Sequence, residues 1–263
     1  MRVIPKKSLG QNFLIDKDII KKICDAGDIN DQDCVLEIGP GNGKLSEFIL
    51  LKNPKKFHAI EKDKRLIETL NQKFKDKIVI INEDILKYNL KKHTDKNLIV
   101  FGNLPYNISS QILTKFVNYN EKEFLYKKLV FMFQKEVADR ILAKVNTKNY
   151  GRLSIFSSWK LNIKKILDIN PSNFYPKPKV TSTLLVFEPK LNFVKFENPK
   201  NLERITNVFF NQRRKMIKKP LNILFKDPKK VVDELKLNLN LRPQNLNKAT
   251  FYEICLIYEK LIK

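Results

Sequence analysis

A short turn at residues 103–109, Asn103-Leu104-Pro105-Tyr106-Asn107-Ile108-Ser109, carries hydrogen-bond acceptors but no acid or base that titrates near neutral pH. The Asn103 side-chain oxygen and the Leu104 carbonyl can accept the two hydrogens of an exocyclic adenine amine, a weak nucleophile because its lone pair is delocalised into the ring. Pro105 restricts φ and keeps the turn rigid, and Tyr106 offers a flat face to a base. Taken alone the segment is an ordinary β-turn; as a reaction site it would suit transfer of an activated methyl group, in which positioning supplies most of the rate.

A glycine-rich turn, Gly39-Pro40-Gly41-Asn42-Gly43, directly follows the apolar run Val35–Ile38. A turn of this kind between a strand and a helix lets a ligand approach bare backbone closely. A dinucleotide fingerprint of the form G-x-G-x-x-G would need glycine at position 44, where the chain has Lys44. The spacing therefore disfavours a nicotinamide site, although a tight turn without a ligand is the simplest alternative.

Two acidic residues follow the next two predicted strands. Glu61 comes 22 residues after Gly39 and is placed to accept both hydroxyls of a ribose, while Asp84 could accept from an adenine amine. Each acid taken singly could be a solvated strand end. Because ligands of open α/β sheets bind outside the carboxyl ends of the strands, the ordered succession of glycine turn, Glu61 and Asp84 predicts one nucleoside site.

The elements that must position these residues alternate between short β-branched runs and amphipathic helical stretches, which predicts βαβ units around a mostly parallel sheet. After Pro189 the β signal fades and apolar residues recur every three to four positions, which predicts helices. We therefore expect an α/β domain over residues 1–189 and a small all-helical domain over residues 190–263. The predicted strands are Cys34–Ile38, Phe57–Ile60, Ile78–Ile81, Leu98–Phe101, Lys128–Phe133, Ile163–Asp168 and Ser182–Phe187, and the predicted later helices are Leu202–Asn211, Met216–Leu224, Pro228–Leu235 and Ala249–Leu261.

The charge balance of 51 basic and 28 acidic residues gives the 263-residue chain a net charge of +23, which favours a polyanionic partner such as nucleic acid. The richness in Asn and Ile indicates an AT-rich coding sequence, which raises the Lys content without selection for binding, so charge alone leaves both explanations open. Residues 191–263 hold 16 basic and 7 acidic residues and are the more densely basic part.

Cysteine and histidine are sparse and widely spaced. Cys24, Cys34 and Cys255 form no CxxC pair, and only His58 and His93 could join them around a metal, so we expect a reducing compartment and no metal site. We assign His93 to a surface loop without a catalytic role. The first 14 residues contain no apolar run of signal-peptide length, and no later stretch approaches a membrane span, so we expect a cytoplasmic protein with no membrane partner.

Eight blocks, in one order along nearly the whole chain, resemble the family of rRNA adenine N6,N6-dimethyltransferases that modify small-subunit ribosomal RNA near its 3′ end. The blocks are Lys7–Leu14, Gly39–Gly43, Glu61, Glu83–Asp84, Asn103–Tyr106, Gln134–Ala138, Tyr150–Ser154 and Phe174–Ser182.

This resemblance implies a class I methyltransferase domain, with a Rossmann-like, mostly parallel seven-stranded sheet, followed by a helical RNA-binding domain. It implies that S-adenosylmethionine is the methyl donor, that two methyl groups go to each of two adjacent adenosines in a hairpin loop of small-subunit rRNA or of an immature small subunit, and that the protein is a monomer. The implied catalytic residues are Asn103, Leu104, Pro105 and Tyr106. The implied cofactor contacts are Asn12, Leu14, Gly39, Gly41, Glu61, Lys62, Asp84, Ile85 and Asn103.

Substrate contacts are expected at two further places. The resemblance implies that Tyr106 and Phe174 sandwich the extruded adenine. Phe174 lies ahead of two prolines in a stiff loop, where an aromatic side chain has little core to join, although core filling is the alternative.

A cationic cluster, Gln212-Arg213-Arg214-Lys215, is predicted at the start of a helix and could contact phosphates, with a solvated basic face as the alternative. Arg140 and Arg152 are additional candidates for RNA contacts. The chain departs from the family pattern at Met216–Pro220, which leaves the local helix geometry open.

Three alternatives share parts of this pattern. The macrolide-resistance methylases of large-subunit rRNA are similar in fold and motifs, but the arginine cluster and Arg242-Pro243-Gln244-Asn245-Leu246 look more like the small-subunit enzymes. DNA adenine methylases commonly have a second proline where this chain has Leu104. A ribosome assembly factor that chiefly binds RNA is the alternative from another class, and the presence of both Asn103 and Tyr106 favours an active enzyme instead.

Overall fold

The computed structural model describes residues 5–6, 10–92, 97–119 and 125–262, so Lys7–Leu9 of the first block and His93 lie outside the described residues. The chain forms two compact units. The first comprises residues 1–138 and 162–189, and the second comprises residues 139–161 and 190–263. The predicted division had placed residues 139–161 in the first domain, whereas they group with the C-terminal helices.

The first unit contains a seven-stranded sheet in the order β4-β3-β2-β5-β6-β9-β7 and a two-stranded ladder of β1 with β8. In the sheet, β2 pairs with β3 and β5, β3 with β4, and β5 with β6, all in parallel, whereas β9 is antiparallel to β6. The strands are β1 (Phe13–Leu14), β2 (Cys34–Ile38), β3 (Lys56–Glu61), β4 (Val79–Asn82), β5 (Leu98–Asn103), β6 (Tyr126–Gln134), β7 (Leu161–Ile169), β8 (Phe174–Tyr175) and β9 (Ser182–Pro189).

The central strands form because most of their side chains, on both faces, are apolar. All five residues of β2 are buried, as are the first five of β5, which is typical of parallel strands covered by helices on both sides. The parallel register places Ile38 beside both Ile60 and Gly102, and Glu61 beside Asn82. The carboxyl ends of four strands therefore meet at one edge of the sheet.

Helices α1 (Lys17–Gly27), α2 (Lys44–Leu50), α3 (Lys64–Phe74) and α4 (Ser109–Asn118) belong to the first unit, and α5 (Lys135–Leu142) crosses from the first unit into the second. The Asp16 side chain caps α1 by accepting hydrogen bonds from two backbone N–H groups of its first turn, and the Asp63 side chain caps α3 in the same way with one.

The second unit contains α6 (Arg152–Lys160), α7 (Lys200–Asn211), α8 (Lys218–Leu224), α9 (Pro228–Leu235) and α10 (Lys248–Leu261). Phe209 and Phe251 stack edge to face at 5.3 Å between α7 and α10. The buried Glu259 carboxylate accepts hydrogen bonds from the backbone N–H groups of residues 197 and 198 and from the Asn201 side chain, each at 2.9 Å. Both of its oxygens therefore have hydrogen-bond partners.

The structure confirms the predicted mostly parallel seven-stranded sheet and the C-terminal helices. All seven predicted strands are present, with ends that differ by at most two residues, and α9 has its predicted bounds. The two-residue strands β1 and β8 were not predicted because such short segments carry no periodic signal. Among the described residues, no helix is long and apolar enough to cross a membrane.

Candidate active site

A cavity of about 230 Å³ opens at the carboxyl ends of β2 to β5 in the first unit. Most of the residues predicted to bind the cofactor or to react line it, although their separation in sequence is large. They are Asn12, Gly39, Gly41, Glu61, Lys62, Asp84, Ile85, Asn103, Leu104, Pro105 and Tyr106. The structure thus brings the glycine turn, both acids and the turn at residues 103–109, the reaction loop, to one place, as expected for the switch point of an open α/β sheet.

The glycine turn has a backbone that only glycine adopts without strain at two of the cavity-lining positions. Gly39 and Gly41 have φ values of +67° and +60°. A side chain at position 41 would place its Cβ only 2.8 Å from the Phe13 ring, whereas a Cβ on Gly39 would meet only open space. The backbone at Gly39 is therefore accessible to a ligand, and Phe13 closes over the turn at Gly41.

Glu61 ends β3 as a buried carboxylate whose two oxygens are fixed by backbone donors. The Gly41 N–H donates to Oε2 at 3.2 Å, and the Asp63 N–H donates to Oε1 at 2.8 Å. Burial raises the pKa of Glu61, and these backbone hydrogen bonds oppose the rise. Each carboxylate oxygen keeps a lone pair for another donor, so the group can still accept ribose hydroxyls as predicted.

Asp84 lies two residues beyond β4 and is held from two sides. Lys62 Nζ donates to Oδ2 at 2.8 Å, and the Leu86 N–H donates to Oδ1 at 3.0 Å. The hydrogen bond from Lys62 is the main reason that the pKa of Asp84 lies below its usual range. The carboxylate is therefore ionised at neutral pH and can accept a hydrogen bond from an adenine amine.

The residues present fit the adenosine part of S-adenosylmethionine. The bare Gly39 backbone, the Glu61 carboxylate and the Asp84 carboxylate line the same cavity and offer a close approach, ribose acceptors and an amine acceptor in turn. Ile85 is buried and supplies an apolar face beside Asp84. The contacts of these groups with one nucleoside stay predictions.

The reaction loop begins at Asn103, the last residue of β5. Its Nδ2 donates to the Asn12 carbonyl at 2.7 Å, which fixes the orientation of the side-chain amide. Within the described residues, no donor occupies Asn103 Oδ1 or the Leu104 carbonyl. Both acceptors postulated from the sequence are therefore available to a substrate.

Tyr106 belongs to the reaction loop and lines the cavity. Its hydroxyl lies 3.0 Å from Ser182 Oγ, and Ser109 Oγ donates to its carbonyl at 3.2 Å. Burial raises the pKa of Tyr106, so the phenol is neutral at physiological pH. The Ser182 contact positions the ring as a surface for a base, and the Ser109 hydrogen bond holds the Tyr106 backbone. The neutral phenol does not act as a proton acceptor.

The expectation that Phe174 has little core to join was wrong. Phe174 is 3% exposed in β8, pairs with Leu14 of β1, and belongs with it to the core of the first unit. Burial of two large apolar side chains outweighs the stiffness of the following Pro-rich segment. Neither residue is among those that line the cavity, so the contact of Leu14 with the cofactor and of Phe174 with adenine stay predictions.

The arginine cluster was predicted at the start of a helix but forms the turn after α7, and α8 begins only at Lys218. The Arg213 guanidinium donates to Gln244 Oε1 at 3.2 Å and to the Thr147 carbonyl at 3.3 Å, so it holds the second unit together. Arg214 and Lys215 are exposed. The contact of Arg214 and Lys215 with RNA stays a prediction. Because Arg213 is engaged within the second unit, these two are the residues of the cluster whose charges are available to phosphates.

Lys115 of α4 was missed by the sequence reasoning. Its Nζ donates to the carbonyls of Ile85, Leu86 and Tyr88 at 2.8, 3.0 and 2.6 Å, which uses all three of its donors. Because α4 starts directly after the reaction loop, Lys115 ties that loop to the segment that carries Asp84. The only sign of this role of Lys115 in the sequence is that the lysine takes a half-buried position on an amphipathic helix.

Gln11 lies in the first family block, Lys7–Leu14, and the sequence predicted no separate role for it. Its Nε2 donates to the Asp63 carboxylate at 3.0 Å, next to Glu61. The hydrogen bonds from Arg65 hold the pKa of Asp63 at about 2, so this acceptor is charged. Gln11 thereby anchors the segment whose Asn12 carbonyl orients Asn103.

Across the parts of the chain that the structure describes, no three His, Cys, Asp or Glu side chains are grouped so that they could hold a metal ion. All three cysteines are buried.

Comparison with known proteins agrees with this geometry. The profile of the ribosomal RNA adenine dimethylase family matches residues 4–260. The chain belongs to this family. Within it, the Ribosomal RNA small subunit methyltransferase A of Pelagibacter ubique (strain HTCC1062) is 54% identical over 261 residues, which cover 99% of both chains. The relative of the same name from Wolbachia sp. subsp. Drosophila simulans (strain wRi) is 41% identical over 257 residues, 96% of this chain and 92% of the relative.

Two solved structures extend the comparison. A dimethyladenosine transferase from Plasmodium falciparum superposes with a TM-score of 0.80 at 27% identity, covering 94% of this chain and 98% of that one. The 23S rRNA methyltransferase ErmE has a TM-score of 0.69 at 20% identity over 96% of this chain and 100% of its own, and shows the shared fold alone. Membership of the dimethylase family confirms the predicted adenine dimethylation of ribosomal RNA and S-adenosylmethionine as the methyl donor.

Proposed function

We propose that this adenine dimethylase modifies two adjacent adenosines in a hairpin loop near the 3′ end of small-subunit rRNA, in the cytoplasm, during ribosome assembly. Names and identities of the relatives support the small subunit, since two relatives named for small-subunit methylation are 54% and 41% identical, whereas the 23S enzyme is 20% identical. The protein acts as a monomer on an immature small subunit.

The observation that carries the mechanism is the hydrogen bond from Asn103 Nδ2 to the Asn12 carbonyl. A side-chain amide has one donating and one accepting end, so fixing Nδ2 commits Oδ1 to accept. Asn103 Oδ1 and the Leu104 carbonyl then bind the two hydrogens of the target amine. This draws the nitrogen lone pair away from the ring and makes it available for bond formation.

When bound, S-adenosylmethionine supplies a methyl group already activated by its sulfonium. The residues of the chain add position: the Glu61 and Asp84 carboxylates hold the nucleoside, and the rigid reaction loop holds the amine. Since the Tyr106 phenol is neutral, the reaction loop provides no base, and the proton of the methylated amine leaves to solvent.

The test is transfer of labelled methyl groups to small ribosomal subunits that lack this modification, with large subunits in parallel and Asn103→Ala as the control. We expect label as dimethyladenosine in the small subunit only, lost in the control. Label in the large subunit would instead indicate a resistance methylase, and no label in either would indicate an assembly factor that only binds RNA.

A further inference from the structure

One surface beside the cavity has no role in the proposed methyl transfer. Tyr175 of β8 is 61% exposed, and it is the only exposed aromatic side chain among the described residues. Its neighbours in the Pro-rich segment alternate, with Phe174 and Pro178 buried and Lys177 and Lys179 exposed. An exposed aromatic followed by two exposed lysines is the combination that binds single-stranded nucleic acid.

The ladder of β1 and β8 determines which way Tyr175 faces. Tyr175 is the direct partner of Phe13, and directly opposed residues of an antiparallel pair share one face. Phe13 lines the cavity, whereas the other pair, Leu14 and Phe174, is in the core. Tyr175 is therefore on the cavity side of the ladder, although it is not among the residues that line the cavity itself.

The segment that carries the lysines is anchored at both ends beside the site. At its start Tyr175 is paired with Phe13, and at its end Ser182 lies 3.0 Å from the Tyr106 hydroxyl. The Lys135 N–H also donates to the Thr181 carbonyl at 2.9 Å. Residues 175–181 thus follow the rim of the cavity between two fixed points.

The polar ends of the Tyr175, Lys177 and Lys179 side chains have no partner in the described part of the chain. Within it, no hydrogen bond or ion pair occupies the Tyr175 hydroxyl or the ammonium groups of Lys177 and Lys179. We propose that Tyr175 stacks on the base of a nucleotide that flanks the target adenosine, and that Lys177 and Lys179 contact the adjoining phosphates. This inference rests on the proposed function and names a second contact of the same RNA, outside the cavity.

Two readouts test it, methylation of unmodified small subunits and binding of a fluorescent RNA hairpin with two adenosines in its loop. Tyr175→Ala should weaken RNA binding about 10-fold and raise KM for RNA equally, with kcat and cofactor affinity unchanged. Tyr175→Phe should restore binding, because stacking needs the ring and not the hydroxyl. The matched control is Val180→Ala, an exposed apolar residue of the same segment, which should bind as wild type.

The lysines are tested by salt. Replacing both Lys177 and Lys179 by Gln should reduce the slope of log affinity against log salt concentration by about 1.4, whereas replacing Lys21 and Lys22 of α1 by Gln should leave it unchanged. In Tyr175→Trp, hairpin binding should quench the new indole, which is distinguishable from the single native Trp159 because that residue is buried.

Unchanged hairpin binding in Tyr175→Ala, or unquenched emission from Tyr175→Trp with RNA bound, would overturn the proposal. A loss of kcat at saturating RNA with unchanged RNA affinity would also overturn it, by placing Tyr175 against the target base. Because the binding readouts need no methyl transfer, they decide on Tyr175 even if the wild-type enzyme fails to methylate small subunits.

Discussion

At the cofactor end of the cavity the polar groups are charged and fixed by backbone donors or lysines, whereas at the reaction end they are neutral. Glu61 and Asp84 illustrate the first arrangement, and Asn103 Oδ1 and the Leu104 carbonyl the second. Under the proposed assignment of these residues, the difference predicts that cofactor affinity depends on charge, while methyl transfer depends on the position of neutral acceptors. Changes at the two ends should therefore separate cofactor affinity from the rate of transfer.

The largest effect is expected at the reaction end. Asn103→Ala removes one of the two acceptors for the amine hydrogens and should lower the rate of transfer by at least about 100-fold, as loss of one preorganised polar group does in other enzymes. The dissociation constant for S-adenosylmethionine should change far less. Single-turnover methylation and equilibrium dialysis measure the two quantities. Equal losses in rate and cofactor affinity would abolish the distinction between the two ends.

Glu61→Gln tests the cofactor end. The substitution removes the charge and leaves one side-chain atom unable to accept from the Gly41 or Asp63 N–H groups, so cofactor affinity should fall about 30-fold, as expected for loss of charge-assisted hydrogen bonds. The rate at saturating cofactor should be nearly retained. A variant with wild-type cofactor affinity and a slow transfer step would show that Glu61 serves the reaction instead.

Lys115→Met sharpens the comparison, because this lysine connects the two ends. Loss of its three hydrogen bonds loosens the segment beside Asp84, and cofactor affinity should fall about 10-fold. The control is Lys127→Met, which leaves the buried Asp33 carboxylate without its lysine partner in the same unit. Calorimetry should show a lower melting temperature in the control with unchanged cofactor affinity. If both variants bind the cofactor alike, the role of Lys115 is only structural.

The smallest effect concerns a carboxyl group that lacks the donors of Glu61. Glu37 of β2 is buried, and within the described part of the chain it accepts only a hydroxyl hydrogen bond from Ser46; burial raises its pKa to about 7. The folded state then binds more protons than the unfolded state between pH 4.5 and 7, so the Glu37 contribution to the free energy of unfolding falls as pH rises through this window. The expected loss is about 1 kcal/mol between pH 6 and pH 7.

Urea titrations of the wild type and Glu37→Gln at several pH values measure this contribution. The difference in unfolding free energy between the two proteins should shift in favour of Glu37→Gln as the pH rises through 7, and become constant above about pH 8. A difference that is independent of pH would show that Glu37 is ionised throughout in the folded protein.

The sequence predicted the sheet well because its central strands are continuous apolar runs bounded by turn residues. It also predicted the cavity, since the strand ends that carry Gly39, Glu61, Asp84 and Asn103 converge in any fold of this type. Local pattern was enough at these positions.

Contacts between residues distant in sequence were not predictable in the same way. The pairing of β8 with β1 buries Phe174, which the neighbouring prolines did not indicate. Arg213 is engaged by carbonyls about 65 residues away in the chain, so a run of basic residues misleadingly suggested a free phosphate site. Lys115 likewise acts on carbonyls 27 to 30 residues before it, which no short motif encodes.

The most direct test of the central claim is the number and identity of methyl groups that the wild-type enzyme adds to unmodified small subunits at completion, measured by nucleoside mass spectrometry. The proposed function predicts N6,N6-dimethyladenosine at two adjacent positions, formed at least about 100-fold more slowly by Asn103→Ala. A plateau at monomethyladenosine would contradict dimethylation, and methylation at another nitrogen would contradict the assignment of Asn103 Oδ1 and the Leu104 carbonyl as acceptors for the adenine amine.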